Sequence, residues 1–293
     1  MLNSQSPMDQ AAGLRRLSRQ RPVRVITVTS GKGGVGKTNV SVNLAMALIE
    51  TGKEVMIMDA DLGLANVDVM LGLHPRFNLS HVINGEMTLE DIILEGPSGL
   101  KLVPAASGAQ VMAGLTPTQH AGIIRAFSEL HQNLDVLIVD TAAGISDSVI
   151  TFSKASQEVV VVVCDEPASI TDAYALIKVL NRDHGLHRFR ILANMVGNER
   201  QGRELYEKIA RVTDQYLYVE LDYMGAIPYD VQLRKAVQNQ SPVVSLFPDS
   251  ISAQAFHELA VKTERWPSPR SGGHLEFFAE RLLQQSYLEA GAW

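Results

Sequence analysis

One segment rich in glycine and lysine has the composition needed to bind a chain of phosphates. Gly31–Thr38 reads GKGGVGKT and matches the pattern of a phosphate-binding loop. Its glycines let backbone N–H groups surround phosphate oxygens, and the N-terminus of the following helix adds positive potential. We expect Lys37 to reach the β- and γ-phosphates and the Thr38 hydroxyl to ligate Mg²⁺. The pattern therefore predicts a nucleotide site, and the alternative is an ordinary glycine-rich turn.

Three aspartates stand where a metal ion or a reacting water would need a carboxylate. Asp59 ends one apolar run, Asp61 follows two residues later, and Asp140 ends another apolar run. If these runs are strands of a parallel sheet, Asp59 and Asp140 lie at its ligand-binding edge, and Asp61 can reach beyond the γ-phosphate. The alternative for Asp59 and Asp61 is that they cap the segment that follows.

The elements that must position these residues alternate along the chain. Short β-branched runs alternate with segments of helical periodicity, which is typical of an α/β fold. The predicted strands are Arg24–Thr29, Glu54–Asp59, Leu100–Val103, Leu134–Asp140, Glu158–Cys164, Phe189–Asn194 and Tyr223–Ile227. The predicted helices are Asn39–Glu50, Thr116–His131, Ile170–Arg182 and Gly202–Thr213. We therefore expect a single doubly wound domain whose mostly parallel sheet has about seven or eight strands flanked by helices.

Composition, net charge and cysteine content argue against several classes of function. The chain has 293 residues, 46% hydrophobic and 20% charged, and it has no apolar run long enough to span a membrane. Its net charge of −6 argues against direct nucleic-acid binding. The single cysteine, Cys164, cannot form an internal disulfide or a paired-cysteine metal site. Because residues 1–22 lack the apolar core of a signal peptide, we predict a cytoplasmic protein.

The lysine that precedes the glycines makes the loop resemble the deviant Walker A motif of the MinD/ParA ATPases. The resemblance covers roughly Val23 to Arg265 and implies a P-loop ATPase that uses ATP, ADP and Mg²⁺. It implies a phosphate-binding set formed by Gly33, Gly34, Val35, Gly36, Lys37 and Thr38. It also implies that Lys32 crosses into a partner subunit, so that ATP closes a homodimer. The alternative for Lys32 is a solvated loop lysine.

Further residues match the same family. Asp59–Asn66 resembles switch I, which implies that Asp59 holds Mg²⁺ and Asp61 orients the attacking water. Asp140 matches the Walker B aspartate, with a metal contact through water, and Thr141–Gly144 resembles switch II.

Base recognition is carried by fewer residues. Asn194 matches the family's adenine-contacting asparagine, whose amide offers both a donor and an acceptor. Pro228 and Asp230 fall in its second adenine-side loop. The alternatives are a strand-end asparagine and an ordinary proline turn.

The amino terminus makes the resemblance more specific. Asp9–Arg15 fits the DQAxxLR segment of the FlhG/FleN family, the MinD-like ATPases that control flagellar number and placement. The resemblance implies that Asp9, Gln10, Leu14 and Arg15 activate an FlhF-type GTPase. It also implies two further partners, a flagellar C-ring protein of the FliM/FliN/FliY type and the flagellar master transcription activator. The alternative is an unstructured leader.

The carboxyl terminus reads as a linker followed by an amphipathic helix. Its apolar side carries the membrane candidates Leu275, Phe277, Phe278 and Leu282. Such a helix can dock on the ATPase body or enter a bilayer, and the resemblance implies both, with release on ATP-dependent dimerisation. The alternative is a permanently docked helix. The location implied is the inner face of the cell membrane, including the cell pole.

Two functional hypotheses follow. In the first, the protein is a switch with three parts: an activating segment at 1–22, an ATPase domain at 23–265 and a membrane-targeting tail at 266–293. ATP closes the dimer on the membrane, and hydrolysis returns it to monomer. In the second, nucleotide is mostly structural and the protein sequesters a transcriptional activator. A ParA-type partition ATPase is a further alternative.

Overall fold

An eight-stranded sheet forms the centre of the molecule. The computed structural model describes residues 22–61, 66–104, 126–127, 134–267 and 278–280. The strands are β1 Arg24–Ser30, β2 Val55–Ala60, β3 Leu94–Glu95, β4 Lys101–Val103, β5 Val136–Ala143, β6 Glu158–Val163, β7 Arg188–Val196 and β8 Glu220–Pro228. Their order across the sheet is β3-β4-β2-β5-β1-β6-β7-β8. All neighbouring pairs are parallel except β3 and β4, which are antiparallel.

Helices cover both faces of this sheet. In the described part of the chain they are α1 Lys37–Glu50, α2 Val67–Leu71, α3 Leu79–Ile83, α4 Leu89–Ile92, α5 Asp147–Ala155, α6 Pro167–Arg182, α7 Glu199–Tyr216, α8 Val231–Gln238, α9 Val243–Leu246 and α10 Ile251–Glu264. None of them combines the length and the apolar character needed to cross a membrane.

The side chains of β1 show why the sheet needs two covered faces. Val25 packs in one apolar cluster, whereas Ile26 and Val28 pack in another, because successive side chains of a strand point to opposite faces. One face packs against α1 and α10, and the other packs against α5, α6 and α7. The central strands are therefore apolar on both sides, which is the pattern that predicted them.

The predicted architecture is confirmed. Each of the seven predicted strands is present, and the eighth is the two-residue β3 at the sheet edge. The predicted helices Asn39–Glu50, Ile170–Arg182 and Gly202–Thr213 are present as α1, α6 and α7, each two or three residues longer at its amino end. Apart from residues 126 and 127, the predicted helix Thr116–His131 lies outside the described residues.

Part of the predicted tail contacts this body. Phe278 is only 2% exposed and packs edge-on against Phe127, with their ring centroids 6.3 Å apart. Both rings belong to the cluster that includes Val25 of β1 and Leu137 of β5. This structure therefore holds the tail in a docked position at Phe278. Leu275, Phe277 and Leu282 lie outside the described residues.

A buried arginine ties the amino ends of three strands to the end of α10. Arg190 of β7 donates to Glu158 of β6 at 2.8 Å and to Asp222 of β8 at 3.1 Å. Its guanidinium also lies 3.8 Å from the centroid of the Trp266 ring. Arg24 of β1 donates to the Trp266 carbonyl at 3.0 Å. This cluster lies at the opposite edge of the sheet from the glycine-rich loop.

We expect Arg190→Ala to lower the free energy of unfolding by about 3–5 kcal/mol, because it leaves the Glu158 carboxylate, which is only 12% exposed, without its closest cation. Arg200→Ala is the control, since that side chain is 88% exposed and its ion pair with Glu204 is worth about 0–1 kcal/mol. Urea unfolding followed by circular dichroism measures both. Equal losses in the two variants would contradict the buried role of Arg190.

Candidate nucleotide-binding site

The glycine-rich loop joins β1 to α1 and has a backbone that side chains would disrupt. Gly34 and Gly36 have φ angles of 79° and 87°, a left-handed conformation that suits glycine. Gly31 passes so close to α6 that a Cβ there would lie 2.1 Å from the Asp172 carbonyl carbon. The glycines at these three positions are therefore required by backbone shape and by packing.

Two residues at the ends of neighbouring strands hydrogen-bond to the backbone of the loop. The Val35 carbonyl accepts a hydrogen bond from Asn194 Nδ2 at 2.7 Å and a weaker one from Cys164 Sγ at 3.7 Å. Asn194 lies so close that a Cβ on Gly36 would be 2.6 Å from its Nδ2. The loop is therefore shaped by β7 as well as by its own glycines.

The two lysines of the loop are placed differently. Lys37 is 8% exposed, and this burial lowers its pKa, while the nearby carboxylates of Asp140 and Asp61 oppose that shift. Lys32 is more exposed, and its Nζ lies 2.6 Å from the exposed Glu166 carboxylate. The hydrogen bond with Glu166 raises the pKa of Lys32. Lys37 is thus held inside the site, whereas Lys32 lies at its surface.

Asp140 is a buried carboxylate with an unused acceptor. It pairs in register with Asp59 across β5 and β2, and its Oδ1 accepts from the Ser41 hydroxyl at 2.8 Å. Its Oδ2 is buried and has no hydrogen-bond partner among the residues that the structure describes. Burial raises the pKa of Asp140 to about 7, although the hydroxyls of Ser41 and Thr38 and the positive charge of Lys37 act to lower it. A buried, unpaired carboxylate oxygen beside Thr38 fits a site for a cation or its bound water.

Asp59 uses both of its oxygens on backbone groups. Oδ1 accepts from the Asp61 N–H at 3.1 Å, and Oδ2 accepts from the N–H groups of Asn66 at 3.0 Å and Val67 at 3.2 Å. Burial raises the pKa of Asp59 to about 6 despite these hydrogen bonds. Among the described residues no group of three or more His, Cys, Asp or Glu side chains could hold a metal by itself. A metal here would need oxygens from the Thr38 hydroxyl, the nucleotide and water as well.

The raised pKa of Asp140 makes the stability of the nucleotide-free protein depend on pH. Between the ordinary pKa of 3.8 and about 7, the unfolded chain loses a proton that the folded protein retains, so stability falls as pH rises through this window. Because asparagine does not titrate, we expect the Asp140→Asn protein to lose less stability than the wild type as pH rises through this window, by up to about 1.4 kcal/mol per pH unit. Denaturant unfolding at pH 4.5, 6 and 8, without nucleotide or Mg²⁺, measures the difference between the two proteins. Parallel pH profiles would contradict the assignment.

The three predicted adenine-side residues come together at one edge of the sheet. Asn194 lies opposite Ile227, next to Pro228 at the end of β8. Asp230 caps α8, since its carboxylate accepts from the Gln232 N–H at 2.8 Å and from the Ser252 hydroxyl at 2.7 Å. Partial burial opposes these hydrogen bonds, but together they lower the pKa of Asp230. The side chain of Asp230 therefore stabilises the turn.

Sequence reasoning missed Ser41 and the bracing contact of Cys164, because neither belongs to a motif, and it gave Asn66 no role of its own although it lies at the end of the segment that resembles switch I. The hydroxyl at Ser41 lies one helical turn beyond Lys37, and that spacing was the available signal. The predicted partner-activating residues Asp9, Gln10, Leu14 and Arg15 lie outside the described residues.

A glycine-rich loop at the carboxyl edge of a doubly wound sheet, with two lysines and three aspartates around it, defines a P-loop NTPase of the MinD/ParA type. A family model described as "ParA: NUBPL iron-transfer P-loop NTPase" matches residues 22–264. Antiactivator FleN of Pseudomonas aeruginosa is 59% identical over 92% of this chain and 97% of its own length. The chain belongs to the ParA family, within which it is a FleN/FlhG homologue with the fold of a MinD-like ATPase.

A further relative and two solved structures support the same family assignment. The flagellum site-determining protein YlxH of Helicobacter pylori is 35% identical over 89% of this chain and 90% of its own. The structure of MinD from Pyrococcus horikoshii complexed with Mg-ADP is 26% identical, covers 83% of this chain and 96% of its own, and has a TM-score of 0.66. The MinC:MinD complex of Aquifex aeolicus is 27% identical, with coverages of 85% and 99% and a TM-score of 0.65.

Proposed function

We propose that this protein is an ATP-dependent dimerising switch that regulates flagellar number and placement. The observation that carries the proposal is the position of Lys32. Its ammonium lies at the surface of the loop on an exposed carboxylate, Glu166, so it can exchange that partner for the phosphates of nucleotide in a second subunit. The similarity to FleN and to the flagellum site-determining protein YlxH supports the flagellar role, and the MinD relatives support the switch.

Within one subunit, each part of the site has a task. The loop from Gly33 to Thr38 binds the phosphates of ATP through backbone N–H groups, and Lys37 places its charge on them. Thr38 and Asp59, with Asp140 through water, would hold Mg²⁺, which neutralises phosphate charge when it is bound. Asp61 orients the water that attacks the γ-phosphate. Hydrolysis removes that phosphate, and the dimer opens.

On the base side, we propose that Asn194 Oδ1 accepts from the adenine amino group while Nδ2 stays on the Val35 carbonyl. Pro228 lies beside it at the end of the neighbouring strand. Asp230 contributes by fixing the turn, because its own carboxylate is engaged by Gln232 and Ser252.

We assign protein partners to the amino-terminal segment and to the ATP-bound dimer. In this proposal the segment 1–22, through Asp9, Gln10, Leu14 and Arg15, activates an FlhF-type GTPase. The ATP-bound dimer binds the C-ring protein and the flagellar master transcription activator. A second candidate function is sequestration of that activator, with nucleotide as a structural element. One observation favours it: the FleN relative is described as an antiactivator.

The tail supplies the membrane step. In this proposal the ATPase domain, 23–265, is cytoplasmic, and the segment 266–293 carries a helix that leaves the body when ATP closes the dimer. Docking at Phe278 keeps this apolar side chain out of water. The same burial in a bilayer would then hold the dimer on the inner face of the membrane.

A vesicle experiment tests the switch. We expect the wild-type protein to sediment with phosphatidylethanolamine/phosphatidylglycerol vesicles with ATP and Mg²⁺, but not with ADP. Phe278→Glu should stay in the supernatant with either nucleotide and retain basal ATPase activity, because a charge on the apolar face forfeits burial in the bilayer.

Tyr218→Glu is the matched control for that experiment, since this aromatic side chain on the body is 94% exposed. It should sediment as the wild type does. Sedimentation of Phe278→Glu at the wild-type level would make the tail a permanently docked helix.

A further inference from the structure

Asn66 lies between β2 and α2, at a position where asparagine side chains commonly cap a helix, but its side chain does not cap α2. We propose that Asn66 is a positioning residue that holds the Asp61 carboxylate in its working orientation. The inference rests on the proposed role of Asp61 in hydrolysis, and it assigns to Asn66 a part in that reaction.

Asn66 is the residue that precedes α2, where asparagine commonly caps a helix by accepting from a backbone N–H of the first turn. Within the described residues its side chain makes no such hydrogen bond. The cap is supplied from the neighbouring strand instead, because Asp59 Oδ2 accepts from the N–H groups of Asn66 and Val67. The amide of Asn66 is therefore available for another partner.

That partner is Asp61. Asn66 Nδ2 lies 3.4 Å from Asp61 Oδ2. The approach is imposed by Asp59, whose two oxygens bind the Asp61 N–H on one side of the turn and the Asn66 N–H on the other. With both backbone positions tied to one carboxylate, the side chains of Asp61 and Asn66 are brought together.

An amide is suited to this task. It donates to one oxygen of Asp61 without adding charge, which limits the orientations of the carboxylate and leaves its other oxygen able to accept from water. Small errors in the position of a group that orients a reactant cost large factors in rate. At 3.4 Å the hydrogen bond itself is weak, so we expect its loss to act on turnover and not on folding.

The decisive variant is Asn66→Ser. Serine caps helices about as well as asparagine, but its hydroxyl is one bond closer to the backbone and cannot reach Asp61 in the same way. We expect Asn66→Ser and Asn66→Ala each to lower kcat for ATP hydrolysis about tenfold and to leave the KM for ATP within about twofold of wild type. We expect Asn66→Asp to lower kcat further, because it places a like charge beside Asp61.

Asn78→Ala is the matched control. Asn78 is also the residue before a short helix, but its side chain does cap α3 by accepting from the Ser80 N–H at 3.0 Å. This control should lower the midpoint of thermal unfolding and leave kcat unchanged. Affinity for ADP, measured for every variant, shows that the nucleotide site is folded.

The possible outcomes distinguish the role of Asn66 from the role of Asp61. Wild-type kcat in Asn66→Ser, with an inactive Asp61→Ala measured alongside, would overturn the role of Asn66 and leave that of Asp61. A fall in stability without a fall in kcat, as in Asn78→Ala, would likewise make Asn66 a structural residue only. Full hydrolysis by Asp61→Ala would instead refute the role of Asp61 on which the inference rests.

Discussion

Asp61→Ala is expected to lower the rate of ATP hydrolysis by a factor of about 10²–10⁴ while ATP binding is retained. In the proposed reaction the attacking water loses the carboxylate that orients it. The phosphate contacts should remain, because the proposal assigns them to the loop backbone and to the buried Lys37. With hydrolysis blocked and ATP bound, the variant should accumulate as a dimer.

Three measurements on Asp61→Ala check this result: phosphate release at saturating ATP, the affinity for a fluorescent ATP analogue, and the mass in solution with ATP and Mg²⁺. Asp91→Ala removes the same charge from an exposed capping position outside the site and should behave as wild type. If Asp61→Ala hydrolyses ATP at the wild-type rate, another residue orients the water.

The second large effect distinguishes the two lysines. Lys37→Ala should weaken ATP binding by a factor of about 100, because a desolvated ammonium that contacts phosphate makes a strong charge-assisted hydrogen bond. Lys32→Ala should retain ATP binding and remain a monomer with ATP, since its side chain serves the partner's nucleotide in the proposed dimer. Its loss leaves only an exposed Glu166 without a partner, which costs little.

Equilibrium binding of an ATP analogue and analytical ultracentrifugation with ADP or ATP report these two properties separately. Lys208→Ala removes another exposed lysine, one paired with Asp165 at 2.8 Å, and provides the control for a general loss of surface charge. Similar behaviour of Lys32→Ala and Lys37→Ala in both assays would remove the basis for a crossing lysine.

The strands were predictable because a parallel sheet that is covered on both faces requires nearly continuous apolar runs. Val136–Val139 and Val159–Val163 are such runs, and they lie in β5 and β6. The short helices α2, α3 and α4 were not predicted. Each has only four or five residues, which is too short to show a helical period. Their capping residues, such as Asn78 and Thr88, carried the available signal.

Contacts between distant residues could not be predicted from local pattern. Asn194 was singled out as a contact for the base, and the structure places its amide on a carbonyl 159 residues earlier in the chain. Asp59 was weighed as a metal ligand or as a cap, and its oxygens in the structure accept from three backbone N–H groups.

The sequence by itself determined the phosphate-binding loop and the strands that carry Asp59 and Asp140, although β5 runs three residues beyond Asp140. A tight loop needs glycine at particular positions, and a buried strand needs apolar residues along its whole length, so both leave a local pattern. Only the tertiary structure decided that Lys37 is buried while Lys32 is exposed, that Asn66 turns to Asp61, and that Phe278 packs against Phe127. These facts depend on which surfaces meet when helices pack on a sheet, and residues far apart in the chain determine that together.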